Sequence, residues 1–321
     1  MRSHAPSGQG DRGRPTSSAG WPHGALLHAD EAELVETACD FALAGLAADE
    51  PVVVLLRPGH AEAVRQALDD DAEYVVFVDA AERLRNPSRL VSTWTDLTVE
   101  HRRPGRRVRG VGEVTWKGRT PDELVECRHH EGVLNAAAPE GLTLLCAHDT
   151  ATLPDDVVAA AHRTHPFVVR DGVTELSGAY APLAEARLLT APLPEPPVPC
   201  DELAFGADDV TVVVWPFVND NGRDAGLDAS RRRELVVAVG EAVMNSVVHG
   251  GGSGVVRCWF DEDALVHEVR DAGVVDDVLA GYRRPNDGDG WGLWLIHELC
   301  DLVQVRSSPD GGTVVRMHVR C

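Results

Sequence analysis

Six prolines are concentrated between residues 182 and 199, and they constrain this 321-residue chain more than any other feature; they are Pro182, Pro192, Pro194, Pro196, Pro197 and Pro199. Proline fixes φ and lacks a backbone N–H, so neither a helix nor a central strand continues through such a segment. Proline-rich segments act as semi-rigid spacers. The sequence therefore predicts a linker over residues 170–200, with a domain on each side that is long enough to bury its own core.

The segment before the linker alternates short apolar runs with helical patterns. Pro51–Leu56, Tyr74–Asp79 and Leu142–Asp149 have the composition of buried strands, whereas Glu31–Ala47 and Pro121–Ala138 have helical spacing. This alternation predicts an α/β domain over residues 23–169, with three layers and a mainly parallel sheet. Residues 1–22 are polar and rich in Gly, Ser and Arg, which predicts a disordered tail.

The segment after the linker, residues 201–321, predicts an α+β domain with helices on one face of a mixed sheet. Arg231–Val248 and Leu293–Cys300 have helical patterns. Gly254–Phe260 with Ala264–Arg270 predicts one hairpin, and residues 302–307 with 313–319 predict a second. Thr211–Trp215 is rich in β-branched residues and by propensity alone favours a strand.

Composition excludes several classes of protein. Lys117 is the only lysine and no Gly-Lys-Ser/Thr triplet occurs, so any nucleotide site is built without a phosphate-binding loop of the Walker type. The net charge is −21 and both halves are acidic, which argues against direct binding of nucleic acid. Seven cysteines without a CxxC pair favour a reducing compartment. With neither a signal peptide nor a membrane-spanning stretch in the pattern, we expect a cytoplasmic protein that does not contact a membrane.

Four groups of residues in the second domain follow one another in an order that indicates a nucleotide site. They are Glu241 with Asn245 one helical turn later, Asp271 with Gly273 at a strand end, Gly288, Gly290 and Gly292 followed by Leu293 at a helix start, and Thr313 on a late hairpin. Each group taken alone has a structural explanation, since a polar helix face is usually solvated and a glycine run is often a turn. Their order over about 70 residues makes the combination specific.

Each group has chemistry that suits a nucleotide. The carbonyl oxygen of Asn245 is a suitable ligand for Mg²⁺, and Glu241 can accept a proton from a hydroxyl that attacks the γ-phosphate. Asp271 can accept a hydrogen bond from an adenine amino group. The glycines leave N–H groups free at a helix N-terminus, where triphosphate oxygens bind. Thr313 can donate its hydroxyl to the same phosphates.

These residues resemble the ATPase domain shared by gyrase, heat-shock chaperones, histidine kinases and anti-sigma serine kinases. The segment Glu241–Gly250 is similar to the Asn-box helix of the anti-sigma branch, and Gly290–Asp301 is similar to its glycine box. The resemblance implies ATP and Mg²⁺ as cofactors, with Asn245 as the metal ligand and Leu293 in the ATP site. It also implies a helix over residues 209–225, because a helix precedes the Asn box in that branch.

One departure from the family pattern concerns the nucleotide lid, which we place at residues 274–289. The family pattern Asp-x-Gly-x-Gly has Val275 here in place of the second glycine. A β-branched residue rarely adopts the positive φ that glycine reaches freely. We therefore expect a lid that follows another path and closes poorly over ATP.

The first domain resembles the MEDS sensory domain. The resemblance rests on His23-Gly24, Arg85-Asn86-Pro87, residues 109–116, His130-Glu131 with Asn135, residues 145–149 and residues 164–166. It implies a sensing function and a fold similar to recombinase-type ATPases without their phosphate loop. Six residues of this domain have side chains that bind metals, although such residues in α/β domains are more often structural; they are His23, His28, His130, His148, His165 and Glu131.

Three functions remain open from the sequence. The resemblance implies first a serine/threonine protein kinase that sequesters a sigma factor and phosphorylates a STAS-type anti-sigma-factor antagonist, in a branch that commonly forms homodimers. A sensor histidine kinase would need a helical hairpin with a phospho-accepting histidine, and residues 170–200 contain no histidine. The third is a non-catalytic binding protein gated by nucleotide, which the valine at 275 favours.

Overall fold

A computed structural model shows two β-sheets, of seven and five strands, at the centres of two domains. The residues that the structure describes are 23–182, 190–261, 263–275, 277, 279–282, 284–285 and 290–321. The predicted disordered tail, residues 1–22, lies outside these ranges.

The sheet of the first domain is mainly parallel, as predicted. Its strands are β1 (His23–His28), β2 (Val52–Leu56), β3 (Val75–Asp79), β4 (Val108–Gly112), β5 (Leu142–Asp149), β6 (Phe167–Arg170) and β7 (Val173–Leu176). They lie in the order β3-β2-β4-β5-β1-β6-β7, and each neighbouring pair is parallel except β6 with β7.

In the described part of the first domain, six α-helices pack around this sheet. They are α1 (Glu31–Ala47), α2 (Pro58–Leu68), α3 (Ala80–Arg83), α4 (Leu90–His101), α5 (Pro121–Ala137) and α6 (Asp155–Thr164). Thr120 begins α5 with a capping box, in which its hydroxyl accepts from the N–H of Glu123 and the Glu123 carboxylate accepts from the N–H of Thr120.

Alternate residues of the central strands enter two cores, one on each side of the sheet. On β2, Val52 and Val54 pack in the core that α1 and α2 cover, whereas Val53 and Leu55 pack with Trp94 in the core that α4 and α5 cover. Both faces of the sheet are therefore buried under helices, and the predicted three-layer arrangement is present. The similarity to recombinase-type ATPases stays a prediction.

The first domain extends further along the chain than the prolines indicate. Strand β7 lies within residues 170–200, which we expected to be linker, and it pairs antiparallel with β6. Asp171 at φ 50° and Gly172 at φ 67° form the reversal between the two strands. The hairpin was missed because Val173–Leu176 is short and exposed, so it has no apolar pattern.

In the described part of the second domain, three α-helices pack on one face of the sheet. Its strands are β8 (Asp201–Gly206), β9 (Ser253–Asp261), β10 (Ala264–Asp271), β11 (Leu302–Ser308) and β12 (Gly312–Arg320), and its helices are α7 (Trp215–Asp224), α8 (Ala229–His249) and α9 (Trp291–Leu299). The strand order is β11-β12-β10-β9-β8. We expected a mixed sheet, whereas all four of these pairings are antiparallel, because short hairpins join β9 to β10 and β11 to β12.

The helix that the family resemblance implied over residues 209–225 is present. A π-helical turn over Val210–Val214 continues into α7. Val210, Val214 and Val218 are spaced one turn apart and all enter the core of the domain. Burial of this stripe overrides the strand propensity of Thr211–Trp215. Strand β8, which the sequence did not indicate, pairs with β9 at the edge of the sheet.

Within the described part of the chain, no helix has the length and apolar character that crossing a membrane requires.

Candidate nucleotide site

Two helices of the second domain meet at the predicted catalytic face of α8. Glu241 and Asn245 lie one turn apart on α8, both half-buried. A Cβ placed on Gly292, in the first turn of α9, would lie 3.0 Å from Asn245 Nδ2 and 3.1 Å from Glu241 Oε2. The absence of a side chain at Gly292 thus allows the start of α9 to lie this close to α8, and the glycine box and the Asn box meet at one place.

The start of α9 presents backbone donors at this site. Gly290 is the N-cap residue at φ 105°, a left-handed conformation that favours glycine, and among the described residues no side chain caps the helix. The first N–H groups of α9 can therefore bind an external acceptor, and the positive end of the helix dipole favours an anion. Leu293, one residue after Gly292, packs against the core of the domain and fixes the helix there. Gly288 lies outside the described residues.

Asp271 ends β10, as predicted, and its carboxylate is held in place. Ser246 Oγ donates to Asp271 Oδ2 at 2.6 Å, and the Gly273 N–H donates to Asp271 Oδ1 at 2.7 Å. A Cβ on Gly273 would lie 2.8 Å from both the Gly250 Cα and the His249 carbonyl oxygen. The glycine therefore lets the strand end touch the end of α8, as close backbone approach requires.

Thr313 lies beside Asp271 and has its hydroxyl occupied. The two residues are opposite each other in the β10–β12 pairing. The Thr313 hydroxyl donates to the Gly273 carbonyl oxygen at 2.9 Å, and Ser307 Oγ lies 2.9 Å from it. The structure thus groups Thr313 with Asp271 and Gly273, and a bond to a phosphate would require this hydroxyl to leave Gly273.

Near the start of the lid, Val275 has an ordinary backbone conformation. Among the described non-glycine residues, only Asp49, Asp69 and Asp171 have positive φ, so Val275 does not. Its N–H donates to Ser307 Oγ on β11 at 2.9 Å. Val275 therefore has the unstrained backbone that a β-branched residue prefers.

Further along the lid, Tyr282 enters the first domain. It is 4% exposed and packs in the core beneath α4 and α5. Its hydroxyl lies 3.2 Å from His129 Nε2 on α5, and its ring stacks on His297 of α9 with centroids 5.1 Å apart. Burial lowers the pKa of His297 to about 3, so this imidazole is neutral. The lid is thus held between the two domains.

Hydrogen bonds and ion pairs between the two domains lie near the buried Tyr282. Asn86 Nδ2 donates to the carbonyl oxygen of His297 at 2.8 Å, and Arg89 forms an ion pair of 2.8 Å with Glu298. On the sheet of the second domain, Arg306 pairs with the buried Glu126 of α5 at 2.6 Å. Asn86, Arg89 and Glu126 belong to the first domain, so both helix α9 and strand β11 are docked against it.

The sequence indicated the groups that face a nucleotide but not those that position them. Ser246 follows Asn245 directly, and only the fold shows that its hydroxyl holds Asp271. Ser307 supports both Val275 and Thr313 from a neighbouring strand. The burial of Tyr282 in the first domain could not be predicted, because a single tyrosine in a polar loop does not indicate where its ring packs.

Two protein families match separate parts of this chain. Residues 22–166 match the family described as MEDS, the methanogen/methylotroph DcmR sensory domain, and residues 207–319 match the histidine kinase-like ATPase domain. An anti-sigma F factor from Oceanobacillus iheyensis is 30% identical over 96 residues, which cover 26% of this chain and 66% of that relative. A solved structure of the RsbU and RsbW domains of a Mycobacterium tuberculosis protein has 22% identity and a TM-score of 0.28, and the match covers 39% of this chain and 33% of that one.

Proposed function

Because this chain joins a MEDS sensory domain to a histidine kinase-like ATPase domain similar to that of an anti-sigma factor, we propose that it is a cytoplasmic anti-sigma regulator. It binds ATP with Mg²⁺, sequesters a sigma factor, and transfers phosphate to a serine or threonine of a STAS-type antagonist. The MEDS domain supplies the signal that sets these activities.

One observation carries this proposal. The first turn of α9 lies directly on Glu241 and Asn245, close enough that a Cβ on Gly292 would contact both side chains. An uncapped helix N-terminus, an amide oxygen and a carboxylate are thereby brought to one point. This combination suits a triphosphate with its metal ion and an attacking hydroxyl.

The residues present fit the nucleotide in three places. The uncapped N–H groups of α9 would hold phosphate oxygens. The Asn245 carbonyl would ligate Mg²⁺, which supplies charge neutralisation at the phosphates when bound. At the other end, each oxygen of Asp271 keeps a lone pair beyond its bond to Ser246 or Gly273, so the carboxylate can accept from an adenine amino group.

A groove beside Glu241 offers a place for the protein substrate. It has a volume of about 800 Å³ and lies between α7 and α8, where Trp215, Val237 and Met244 are 43–46% exposed. A partner held there would present a side-chain hydroxyl next to Glu241. The carboxylate would accept the hydroxyl proton as the oxygen attacks the γ-phosphorus and ADP leaves.

A second function is favoured by the lid. Val275 lacks positive φ, and Tyr282 anchors the lid in the first domain. A lid held in this way suits a protein that binds nucleotide and partner without transferring phosphate. Incubation of the purified chain with labelled ATP and its antagonist separates the two functions, since only the kinase transfers label to a serine or threonine.

The ATP site is tested by replacing its metal ligand. We expect Asn245→Ala to weaken Mg·ATP binding by about tenfold or more, which corresponds to about 1.4 kcal/mol, in isothermal titration calorimetry. Asn219→Ala is the matched control, because Asn219 lies on α7 across the groove. Equal affinities of wild type and Asn245→Ala would reject the site.

The partners are tested by capture from extract of the native cell with the tagged full-length chain, with and without ATP. Recovery of a sigma factor whose amount depends on ATP supports the proposal. Recovery of a response regulator instead would support a histidine kinase.

A further inference from the structure

Four metal-binding side chains of the first domain converge at one buried point between α5 and the sheet. His23 begins β1, Cys146 lies on the neighbouring β5, Glu131 lies on α5, and His165 follows α6. All four are buried, and one ligand atom of each lies within 4.8 Å of the others. The sequence had singled out His23, Glu131 and His165 as candidate ligands but not Cys146.

A hydrogen bond to a backbone carbonyl oxygen fixes the orientation of the His165 ring. His165 Nδ1 lies 2.9 Å from the carbonyl oxygen of Ala161, which can only accept a hydrogen bond. Nδ1 therefore carries the proton, and the lone pair is on Nε2. This Nε2 lies 2.7 Å from Glu131 Oε2.

His23 is oriented in the same way. The amide nitrogen of Asn135 donates to the carbonyl oxygens of Glu131 at 3.0 Å and Thr164 at 2.7 Å. The other amide atom, Oδ1, must then accept from His23 Nδ1, which lies 3.2 Å away. The lone pair of His23 is consequently on Nε2, 3.3 Å from Cys146 Sγ and 3.6 Å from Glu131 Oε2.

Two imidazole lone pairs thus face one carboxylate. Among the described residues, neither oxygen of Glu131 has a hydrogen-bond partner. A carboxylate and two lone pairs repel one another unless a positive charge lies between them.

We propose that His23, Glu131, Cys146 and His165 form a closed, four-coordinate site for a divalent transition metal ion of the zinc type. Bonds of about 2.0–2.3 Å place the ligand atoms of a tetrahedral zinc site roughly 3.3–3.6 Å apart. The observed separations of 3.3 and 3.6 Å from His23 match this spacing. The 2.7 Å between His165 and Glu131 would lengthen on binding by a small rotation of the carboxylate.

The chemistry of the donors selects the class of ion. Two imidazoles, a thiolate and one carboxylate suit zinc, cobalt or a similar ion, whereas Mg²⁺ and Ca²⁺ require oxygen ligands. Each imidazole donates its Nδ1–H to a carbonyl or amide oxygen, and hydrogen bonds of this kind orient metal-bound histidines. His148 Nε2 lies 3.9 Å from Glu131 Oε1 and is a neighbour of the site rather than one of the four ligands.

Cobalt(II) is the probe for this site, because its absorption reports both geometry and a sulfur ligand. The full-length chain is stripped with a chelator, dialysed and titrated with Co²⁺. We expect one equivalent to bind, with intense visible bands of a tetrahedral ion and a near-ultraviolet thiolate charge-transfer band. Zn²⁺ should displace the cobalt and remove both.

The ligands are tested by paired cysteine variants. Cys146→Ser should lose the charge-transfer band, whereas Cys127→Ser should keep it, because the buried Cys127 donates to the carbonyl oxygen of Val114 outside the cluster. His23→Gln provides a second test and should lower cobalt affinity at least tenfold, with far-ultraviolet circular dichroism as the check on folding. Absence of tight cobalt binding in the wild type, or a charge-transfer band that persists in Cys146→Ser, would overturn the proposal.

Discussion

Glu241 is the residue on which catalysis depends in the proposed kinase. A general base contributes about 10²–10⁴-fold in rate but little to ground-state affinity. We therefore expect Glu241→Gln to reduce phosphate transfer to the antagonist by about that factor while ATP affinity changes by less than about threefold. Transfer of labelled phosphate and calorimetric titration measure the two quantities.

The control for Glu241 is Glu234→Gln, on the same helix. Glu234 pairs with Arg231 at 2.8 Å, about two turns before Glu241. Its loss removes the same charge from α8 without touching the site. If both variants transfer phosphate equally well, Glu241 is not the base.

His267 makes the stability of the second domain depend on pH. It is fully buried in β10, and burial lowers its pKa from 6.5 to about 3. Between these values the unfolded chain binds one more proton than the folded chain, so stability is lost as pH falls below about 6.5 and is unaffected above it. Because of this one group, the free energy of unfolding is about 2 kcal/mol lower at about pH 5 than at about pH 7.5.

We expect His267→Leu to reduce the stability difference between these two pH values by about 2 kcal/mol in urea unfolding. His249→Gln, at the exposed end of α8, is the control and should leave the difference unchanged. An unchanged difference in His267→Leu would show that the imidazole is not held neutral by burial.

At the scale of residues, the sequence predicted the groups with direct chemistry and missed their supports. Asn245 and Glu241 could be recognised because spacing along a helix places them on one face. Cys146 could not be assigned to the histidine cluster, because its partners come from three other elements of the fold. Long-range pairing of this kind leaves no periodicity in a sequence.

At the scale of elements, the prediction succeeded where a long pattern repeats and failed for several short strands. Helix α1 has the bounds that its pattern predicted, since its apolar stripe is buried. Strands β7 and β8, each at the edge of a sheet, were missed, and so were β1, β4 and β6 inside the seven-stranded sheet. Each of these five strands has four to six residues and includes a glycine or a charged residue, so it lacks the long apolar run or alternation on which prediction depends.

Near the start of the lid, Val275 stands where the family pattern has a glycine. Val275 adopts a φ that is not positive, and its N–H donates to Ser307 on β11. Glycine at this position would restore access to the left-handed region at no steric cost. We expect Val275→Gly to bind ATP more tightly or to turn it over faster than the wild type.

Val274→Gly is the control, because Val274 is the neighbouring residue and is 43% exposed. It loosens the chain equally but not at the position of the family glycine. Titrations and turnover measurements on the three proteins decide the question. If Val275→Gly gains neither affinity nor rate over Val274→Gly, the lid argument fails.

At the scale of the whole molecule, the two domains form a continuous packed unit through the lid. The proline pattern predicted two domains but gave no indication that they touch. Yet the ion pair of Glu126 with Arg306 is almost fully buried, and Tyr282 of the second domain completes a core of the first. A change in the first domain therefore has a physical route to the nucleotide lid.

Tyr282 is the residue that tests this route. A lid anchored by buried contacts must lose them before it can move, so the anchored state is favoured over a closed one. We expect Tyr282→Ala to raise ATP affinity or turnover and to accelerate amide hydrogen exchange at residues 279–282. It should also lower overall stability by about 3–5 kcal/mol, as loss of a large buried aromatic ring does. Tyr282→Phe is the control, because it keeps the ring stacked on His297 and loses only the hydrogen bond to His129. We expect it to lower the free energy of unfolding by about 1 kcal/mol and to leave ATP affinity and hydrogen exchange in the lid almost unchanged. If Tyr282→Ala has the same hydrogen-exchange rates and the same ATP affinity as the wild type, the first domain does not restrain the lid.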